Sequence, residues 1–269
     1  MNGHPDPAEG AFGLADFVGE AVMLAGAGSA VMYQLARREV GLGVVEHSTT
    51  LERPLDRLRT TLTYVYVMAL GSDEERRAVA AMVDRRHAPV RSAGRYSAFD
   101  PALQLWVAAT LARTGEMIRE RVFGPMDPAT RERVYRESWV LGTALQVTPD
   151  AWPPTRAEFE DYWQDSVALL APDPAVQRYA RVLLSSRAVP LPLRPAQPLQ
   201  SLVTRGNLDA RTRGVLALPW SPKDQARYDR FWRLAPPVYR RVPRGMRQLP
   251  AGIVLADARR RLRSGRRVI

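Results

Sequence analysis

The sequence has no cysteine, which excludes disulfides, iron–sulfur clusters, zinc–thiolate sites and a cysteine nucleophile. Histidine is scarce as well, with only His4, His47 and His87. A metal site built on three histidines would need all of them. His4 lies in a proline- and glycine-rich N-terminal tail, residues 1–11, that we expect to be disordered. A site that needs one histidine ligand remains open.

Common catalytic motifs and targeting segments are also missing. There is no dinucleotide fingerprint after a strand, no Walker loop, no GxSxG elbow and no HExxH. The N-terminus lacks the basic and apolar regions of a secretory signal, so we expect a cytoplasmic location. The most apolar segment, residues 12–35, contains Asp16 and Glu20, and we expect it to form a buried core helix. Membrane contact is left open but is not predicted.

The charge is strongly basic, with a formal net charge of +11, and Lys223 is the only lysine among 39 basic residues. Residues 259–269 form a basic C-terminal tail that we expect to be frayed. One interpretation is an ordinary solvated surface, and another is a protein that binds anionic surfaces. No recognised nucleic-acid motif accompanies the arginines, so no specific nucleic-acid partner is predicted.

Helical periodicity dominates the chain and predicts an all-α, single-domain bundle over residues 12–258. Helix-start signals occur at Arg53-Pro54, Ser72, Ser97–Pro101 and Thr155. The proline-rich stretch 189–198 predicts an extended crossover, and no strand pair is evident. The predicted helices cover residues 54–70, 73–88, 102–121, 128–145, 156 onward, 174 onward, 197–205, 222–234 and 243–262.

Polar side chains interrupt the apolar helix that begins at Pro54. Arg57, Thr61 and Tyr64 share one face, with Thr60 beside them, whereas Leu55 and other leucines recur at helical spacing. Buried polar groups need partners, so this face is a candidate ligand site. In the alternative interpretation, Arg57 pairs with a surface carboxylate and the threonines bond back to their own helix.

His87 closes the next helix within the segment Asp84–Arg91. It is either a surface histidine at a helix C-terminus or, as a neutral imidazole, a metal ligand. Nearby arginines favour the neutral form and could hold anionic groups.

Several segments, in order, resemble the DUF2236 family of MpaB-type and latex-clearing (rubber) oxygenases. The similarity fades after about Arg205. The segments that carry it are Gly41–Ser48, Pro54–Thr61, Tyr64-Val65, Gly71, Arg86–Arg91, Gly94–Pro101, Leu105–Val107 and Ala109–Leu111.

The resemblance implies an α-helical protein that binds one haem b. It implies that His87 is the proximal iron ligand and that Arg57 and Thr61 lie in the haem pocket. Where some rubber-cleaving members have a distal lysine, this chain has Thr60. Arg38-Glu39 replaces a His-Pro pair found in many relatives, which puts the contact of the first helix with haem in doubt.

A haem needs an axial nitrogen, a slot between helices and cations for its propionates. Gly26, Gly28 and Ala109 are candidates for making room. Arg57, Arg91 and Arg95 are candidates for the propionates. Tyr64 and Trp106 are candidate walls or, alternatively, ordinary core residues.

Glu46 and His47 are further candidates in this resemblance. Glu46 is a candidate general base. His47 is a distal group, a group that supports a ligand, or a structural neighbour of the next helix.

The resemblance implies an oxygenase that uses O₂, an apolar alkene or isoprenoid-like substrate and an optional electron donor. The alternatives are a haem- or lipophile-binding protein without turnover and a basic protein that binds anionic surfaces.

Overall fold

A computed structural model describes residues 12–185, 189, 191–266 and 268. Within these residues the fold is all-α, as predicted, apart from one small hairpin. The tail predicted to be disordered, residues 1–11, lies outside the described residues. The helices are α1 Leu14–Val18, α2 Leu24–Ala36, α3 Arg38–His47, α4 Pro54–Leu70, α5 Asp73–His87, α6 Pro101–Phe123, α7 Pro128–Glu137, α8 Val140–Thr143, α9 Arg156–Ala168, α10 Pro174–Leu183, α11 Gln197–Gly206, α12 Ala210–Val215, α13 Pro222–Arg241 and α14 Arg244–Arg263.

Helix α6 lies at the centre of the bundle, where it packs against α2, α8 and α13. Asp100 caps it by accepting hydrogen bonds from the backbone N–H groups of Ala102 and Leu103. Pro101 occupies the first helical position, where its missing N–H has no partner to lose. The predicted start of this long helix is therefore confirmed.

Other predicted starts are also confirmed by their caps. Ser72 and Glu75 form a reciprocal capping box at α5, and Thr155 accepts from the Glu158 N–H at α9. Pro54 is the first residue of α4. These boundaries depend on local sequence, which explains why they were predictable.

The N-terminal apolar segment is not one helix, so that prediction is wrong. α1 ends at Gly19, and a short 3-10 helix, Ala21–Met23, precedes α2. Glu20 sits at the break, with only 3% of its surface exposed. It accepts a hydrogen bond from Tyr239 Oη at 2.8 Å and pairs with Arg247 at 3.4 Å. A buried carboxylate needs such partners, and both lie on the C-terminal helices.

The small residues of α2 mark close helix packing. A Cβ added to Gly26 would lie 2.9 Å from Ile118 Cγ1 of α6, and one added to Gly28 would overlap Thr204 Oγ1 of α11. Ala109 of α6 is fully buried in the main core. Neighbouring helices therefore fill the space beside Gly26 and Gly28 that we had assigned to a ligand slot, and that assignment is wrong.

Four further boundaries differ from prediction. The chain turns at Ser138, so the helix predicted over residues 128–145 is two helices, α7 and α8. Within the stretch 189–198 predicted to be extended, Leu191–Ala196 forms a 3-10 helix, whereas α11 begins at Gln197 as predicted. α13 continues through Pro236 and Pro237 to Arg241. A two-residue hairpin pairs β1 Arg91–Ser92 with β2 Tyr96–Ser97.

The basic C-terminal tail is helical over its first part. α14 runs to Arg263, and Arg259 donates to both carboxylate oxygens of Glu75 on α5. The helix predicted over residues 243–262 is therefore confirmed, and this contact holds its last turns against the bundle. None of the described helices combines the length and apolar character needed to cross a membrane.

Candidate functional site

His87 is the last residue of α5 and is half-buried. Its Nδ1 atom is buried and has no hydrogen-bond partner among the described residues. Burial lowers the pKa of His87 below its ordinary value; Asp84, one turn earlier, opposes this shift and Arg57 reinforces it. The result is a neutral imidazole with an unsatisfied nitrogen, the form in which histidine binds a metal.

Arg57 lies close enough to His87 to influence its charge. The side chain is exposed to solvent, yet surrounding protein atoms lower its pKa by desolvation, and Arg86 acts in the same direction. The Arg57 side chain therefore reaches solvent while protein atoms surround part of it. No described carboxylate forms an ion pair with Arg57 or with Arg86.

The first two turns of α4 leave an apolar face uncovered. Leu55 is 52% exposed and Leu58 is 41% exposed, although both recur at helical spacing with the other apolar residues of this helix. Thr61, one turn after Leu58, is exposed as well. The core instead takes the opposite face, with Thr63 and Tyr66. Exposed leucines beside an arginine without an ion pair are suited to contact a ligand that has both an apolar part and an anionic group.

The two threonines bond back to their own helix. Thr60 Oγ1 and Thr61 Oγ1 both donate to the backbone oxygen of Arg57, at 3.0 and 2.9 Å. The alternative interpretation of this face is therefore correct for the threonines. Its other half is wrong, because Arg57 has no carboxylate partner among the described residues.

Tyr64 bonds to the protein backbone and has a structural role beside the site. Its Oη donates to the backbone oxygen of Leu141 at 2.8 Å, and burial raises its pKa, with a further contribution from Asp84. Asp84 in turn accepts from Gln146 Nε2 at 2.9 Å, and the Gln146 N–H donates to Gln104 Oε1. This chain of amides fixes the turn of α5 that carries His87.

Asp84 stands three residues before His87, and this helical spacing already indicates contact between them in the sequence. Tyr179 is a further residue of this site, and the sequence does not indicate it. Tyr179 of α10 has a buried Oη with no partner among the described residues, and it lies close enough to Arg57 to influence its charge. Nothing local to α10 signals this approach, because it depends on tertiary packing.

Glu46 belongs to a separate group at the end of α3. It accepts from Arg95 at 2.8 Å and from Tyr96 Oη, and His47 Nε2 lies 3.2 Å from the same hydroxyl. The hydrogen bond from Tyr96, followed by that from Arg95, lowers the pKa of Glu46. A carboxylate with a lowered pKa is a weak base, so this arrangement does not support a general-base role.

The remaining predicted residues are divided between surface and core. Arg95 is engaged with Glu46, whereas Arg91 is exposed on β1 and pairs with no described carboxylate. Trp106 is 2% exposed and stacks on Trp163 at 5.1 Å between ring centroids. It therefore occupies a closed aromatic core, the alternative interpretation given for it.

Two surface grooves lie away from His87. One, of about 740 Å³, is apolar and lies between α11 and α13. The other, of about 680 Å³, is polar and lies beside α6 and α9. His87 lines neither of them. The case for a site at His87 depends on unsatisfied atoms and uncovered side chains rather than on the volume of a cavity.

Chemically, the His87 group offers one nitrogen ligand, cations and an apolar face. Among residues 12–185, 189, 191–266 and 268, no cluster of three or more histidine or carboxylate side chains could hold a bare metal ion. A metal that is already held by the nitrogens of an organic cofactor needs only one such nitrogen from the protein.

The family model described as "ER-bound oxygenase mpaB/B'/Rubber oxygenase, catalytic domain" matches residues 16–236. The chain belongs to this family. The match contains α4, α5 and the His87 group and ends inside α13, so α14 lies beyond it. The family assignment made from the sequence is confirmed.

Two curated relatives extend the comparison. The uncharacterized proteins Mb2261 of Mycobacterium bovis and Rv2237 of Mycobacterium tuberculosis are each 36% identical to the chain over 248 residues. Each alignment covers 89% of this chain and 97% of the relative. No solved structure matches the chain significantly. Membership in a family of oxygenases supports oxidoreductase chemistry and leaves the cofactor and the substrate as proposals.

Proposed function

We propose that the chain is a haem b-dependent oxygenase that uses O₂ to oxidise a carbon–carbon double bond in an apolar, isoprenoid-like substrate. The observation that carries the proposal is the buried, unpartnered Nδ1 of His87 beside the uncompensated charge of Arg57. Both lie within the residues that the oxygenase family model matches.

The residues present fit a haem. His87 would be the axial ligand, and its lowered pKa keeps the imidazole neutral at pH 7. Arg57 and the unpaired Arg91 would hold the propionates, since cations without carboxylate partners can accept new anions at little electrostatic cost. Leu55 and Leu58 would lie against the apolar part of the ring.

When bound, the haem would supply the redox chemistry for the reaction with O₂. Cleavage of one double bond by one O₂ gives two carbonyl groups and needs no reductant, whereas hydroxylation would require an electron donor. The protein's own part is to orient His87 through the Asp84–Gln146 hydrogen bond and to present an apolar face for the substrate. The cytoplasmic location stays a prediction.

The test is an absorption spectrum of the protein expressed with added haem precursor, in ferric and dithionite-reduced forms. We expect a Soret band in the wild type that is lost or shifted in His87→Ala. His47→Ala is the matched control, because His47 is the other histidine among the described residues and bonds to Tyr96 instead. A folded wild type without a Soret band, or equal spectra for both variants, would contradict the proposal.

A haem-binding or lipophile-binding protein without turnover is the second candidate. Thr60 stands where some relatives have a lysine, and the hydroxyl protons of Thr60 and Thr61 are both committed to the backbone of Arg57. The two threonines therefore have no free hydroxyl proton to donate to a ligand. If the haem protein autoxidises but forms no carbonyl product from a panel of terpenoid alkenes, the second candidate replaces the first.

A further inference from the structure

The two C-terminal helices carry an exposed apolar surface far from His87. On α14, the outward side chains follow a 3–4–3–4 spacing from Met246 through Leu249, Ile253 and Ala256 to Arg260. Met246, Leu249 and Ile253 are 66%, 59% and 60% exposed. A stripe with this spacing normally faces a core or a partner. Here it faces away from the bundle.

Helix α13 adds to this surface just before the turn into α14. Leu234 and Val238, one turn apart, are 56% and 63% exposed and line the apolar groove of about 740 Å³. Arg247 of α14 packs over the ring of Tyr239 at 5.4 Å, which joins the end of α13 to the start of α14. We call Leu234, Val238, Met246, Leu249 and Ile253 the C-terminal apolar patch.

The arginines of α13 have no ion pair with a described carboxylate, whereas every arginine of α14 except Arg263 is paired. The five arginines of α13 are Arg227, Arg230, Arg233, Arg240 and Arg241. Apolar side chains on a helix face bordered by unpaired cations are the pattern of a helix that lies in a membrane interface.

We propose that the C-terminal apolar patch docks on an anionic lipid surface. The apolar side chains would enter the boundary between headgroups and acyl chains, and the flanking arginines would contact lipid phosphates. Charge favours this occupant over a second copy of the chain, because two copies that each carry a formal charge of +11 would bring like charges together. No described helix is suited to span the membrane, so the contact would be peripheral.

The patch is distinct from the His87 site. Gln104 of α6 belongs to the amide chain beside Asp84, whereas Val122 of the same helix lines the groove beside Leu234. The 18 residues between them span about 27 Å at the rise of an α-helix. Most of the patch also lies after residue 236, where the family match ends. The inference therefore stands whether or not haem binds.

The test is flotation of the full chain with vesicles of phosphatidylcholine, with or without about one third phosphatidylglycerol, a composition that raises the negative surface potential. We expect binding to the anionic vesicles only, weakened by salt. The double variant Met246→Ser/Ile253→Ser should bind about tenfold more weakly. Leu169→Ser is the matched control, because Leu169 is 63% exposed at the end of α9 and outside the patch.

Three results would overturn the inference: no binding to either vesicle, equal binding to both, or equal loss in the patch and control variants. Sedimentation velocity without lipid tests whether a second copy of the chain covers the patch instead. A dimeric wild type and a monomeric double variant would mean that it does, and would overturn the inference. Circular dichroism of each variant checks that it is folded.

Discussion

At the scale of single residues, the molecule separates two groups that the sequence places close together. His87 has an unpartnered Nδ1 and Arg57 has no ion pair with a described carboxylate, whereas Glu46 and Arg95 pair with each other. A buried charge or nitrogen without a hydrogen-bond or ionic partner costs free energy, and a ligand that supplies the partner removes this cost. The first group therefore has the character of a binding site and the second that of a structural contact.

Replacement of Arg57 with glutamine should weaken haem binding without weakening the cofactor-free fold. The loss of a charge-assisted bond to a propionate costs about 1.5–3 kcal/mol, or roughly ten- to a hundredfold in haem dissociation rate. In the cofactor-free protein the change removes repulsion from Arg86. Haem transfer to apomyoglobin measures the first effect and urea unfolding the second.

Arg53→Gln is the matched control for Arg57→Gln. Arg53 caps the same helix but pairs with Asp56 and is 69% exposed. We expect its haem transfer rate to match the wild type. Equal rates for Arg57→Gln and the wild type would remove Arg57 from the proposed site.

Glu46 should stabilise the fold in a pH-dependent way. Its pKa is lower in the folded protein than in the unfolded chain, because Tyr96 and Arg95 bond to the carboxylate. The stabilisation is therefore present above the unfolded pKa of about 4.3 and is lost as pH falls through the lower folded pKa. Urea unfolding of Glu46→Gln at pH 5 and pH 3 should show a smaller loss on acidification than the wild type.

Glu52→Gln is the control for Glu46→Gln, since Glu52 is exposed and forms no ion pair with a described cation. A wild-type pH profile for Glu46→Gln would show that the Tyr96 and Arg95 contacts do not hold in solution. If oxygenase activity is found and Glu46→Gln abolishes it in a folded protein, Glu46 acts as a base despite its ion pair.

At the scale of elements, close helix contacts fix the positions of α2, α6 and α11. Gly26 and Gly28 let α2 approach its two neighbours where any side chain would collide. This packing places α6 along the core axis and leaves the first turns of α4 at the edge. The uncovered face of α4 is thus a consequence of where the other helices pack.

Gly28→Ala should destabilise the protein by about 1–3 kcal/mol, because the added methyl group would overlap the fully buried Thr204. Gly115→Ala on α6 is the matched control, since nothing lies within 4 Å of its added Cβ. Helix propensity should make that variant more stable by up to about 1 kcal/mol. Thermal and urea unfolding measure both. A neutral Gly28→Ala would mean that α11 packs less closely than described.

Local signals predicted the starts of α4, α5, α6 and α9, because a cap and its helix lie within a few residues of each other. Exposure of Leu55 could not be read from periodicity, since which face is covered depends on the other helices. The approach of Tyr179 to Arg57 and the burial of Glu20 have the same origin. Tertiary packing decided each of these features.

At the scale of the whole molecule, two surfaces with different chemistry lie beside opposite ends of α6. The site at His87 lies inside the family-matched region, whereas most of the C-terminal apolar patch lies beyond it. The formal net charge of +11 comes almost entirely from arginine. Both surfaces include arginines without a described carboxylate partner.

The measurement that tests the central claim most directly is rescue of a His87→Gly variant by imidazole, followed in the Soret region. A glycine leaves space for the free ligand beside the iron. We predict that the variant alone loses the wild-type haem spectrum and that millimolar imidazole restores it, while N-methylacetamide does not. A wild-type spectrum without imidazole, or no recovery with imidazole in a variant that stays folded, would contradict the assignment of His87 as the axial ligand.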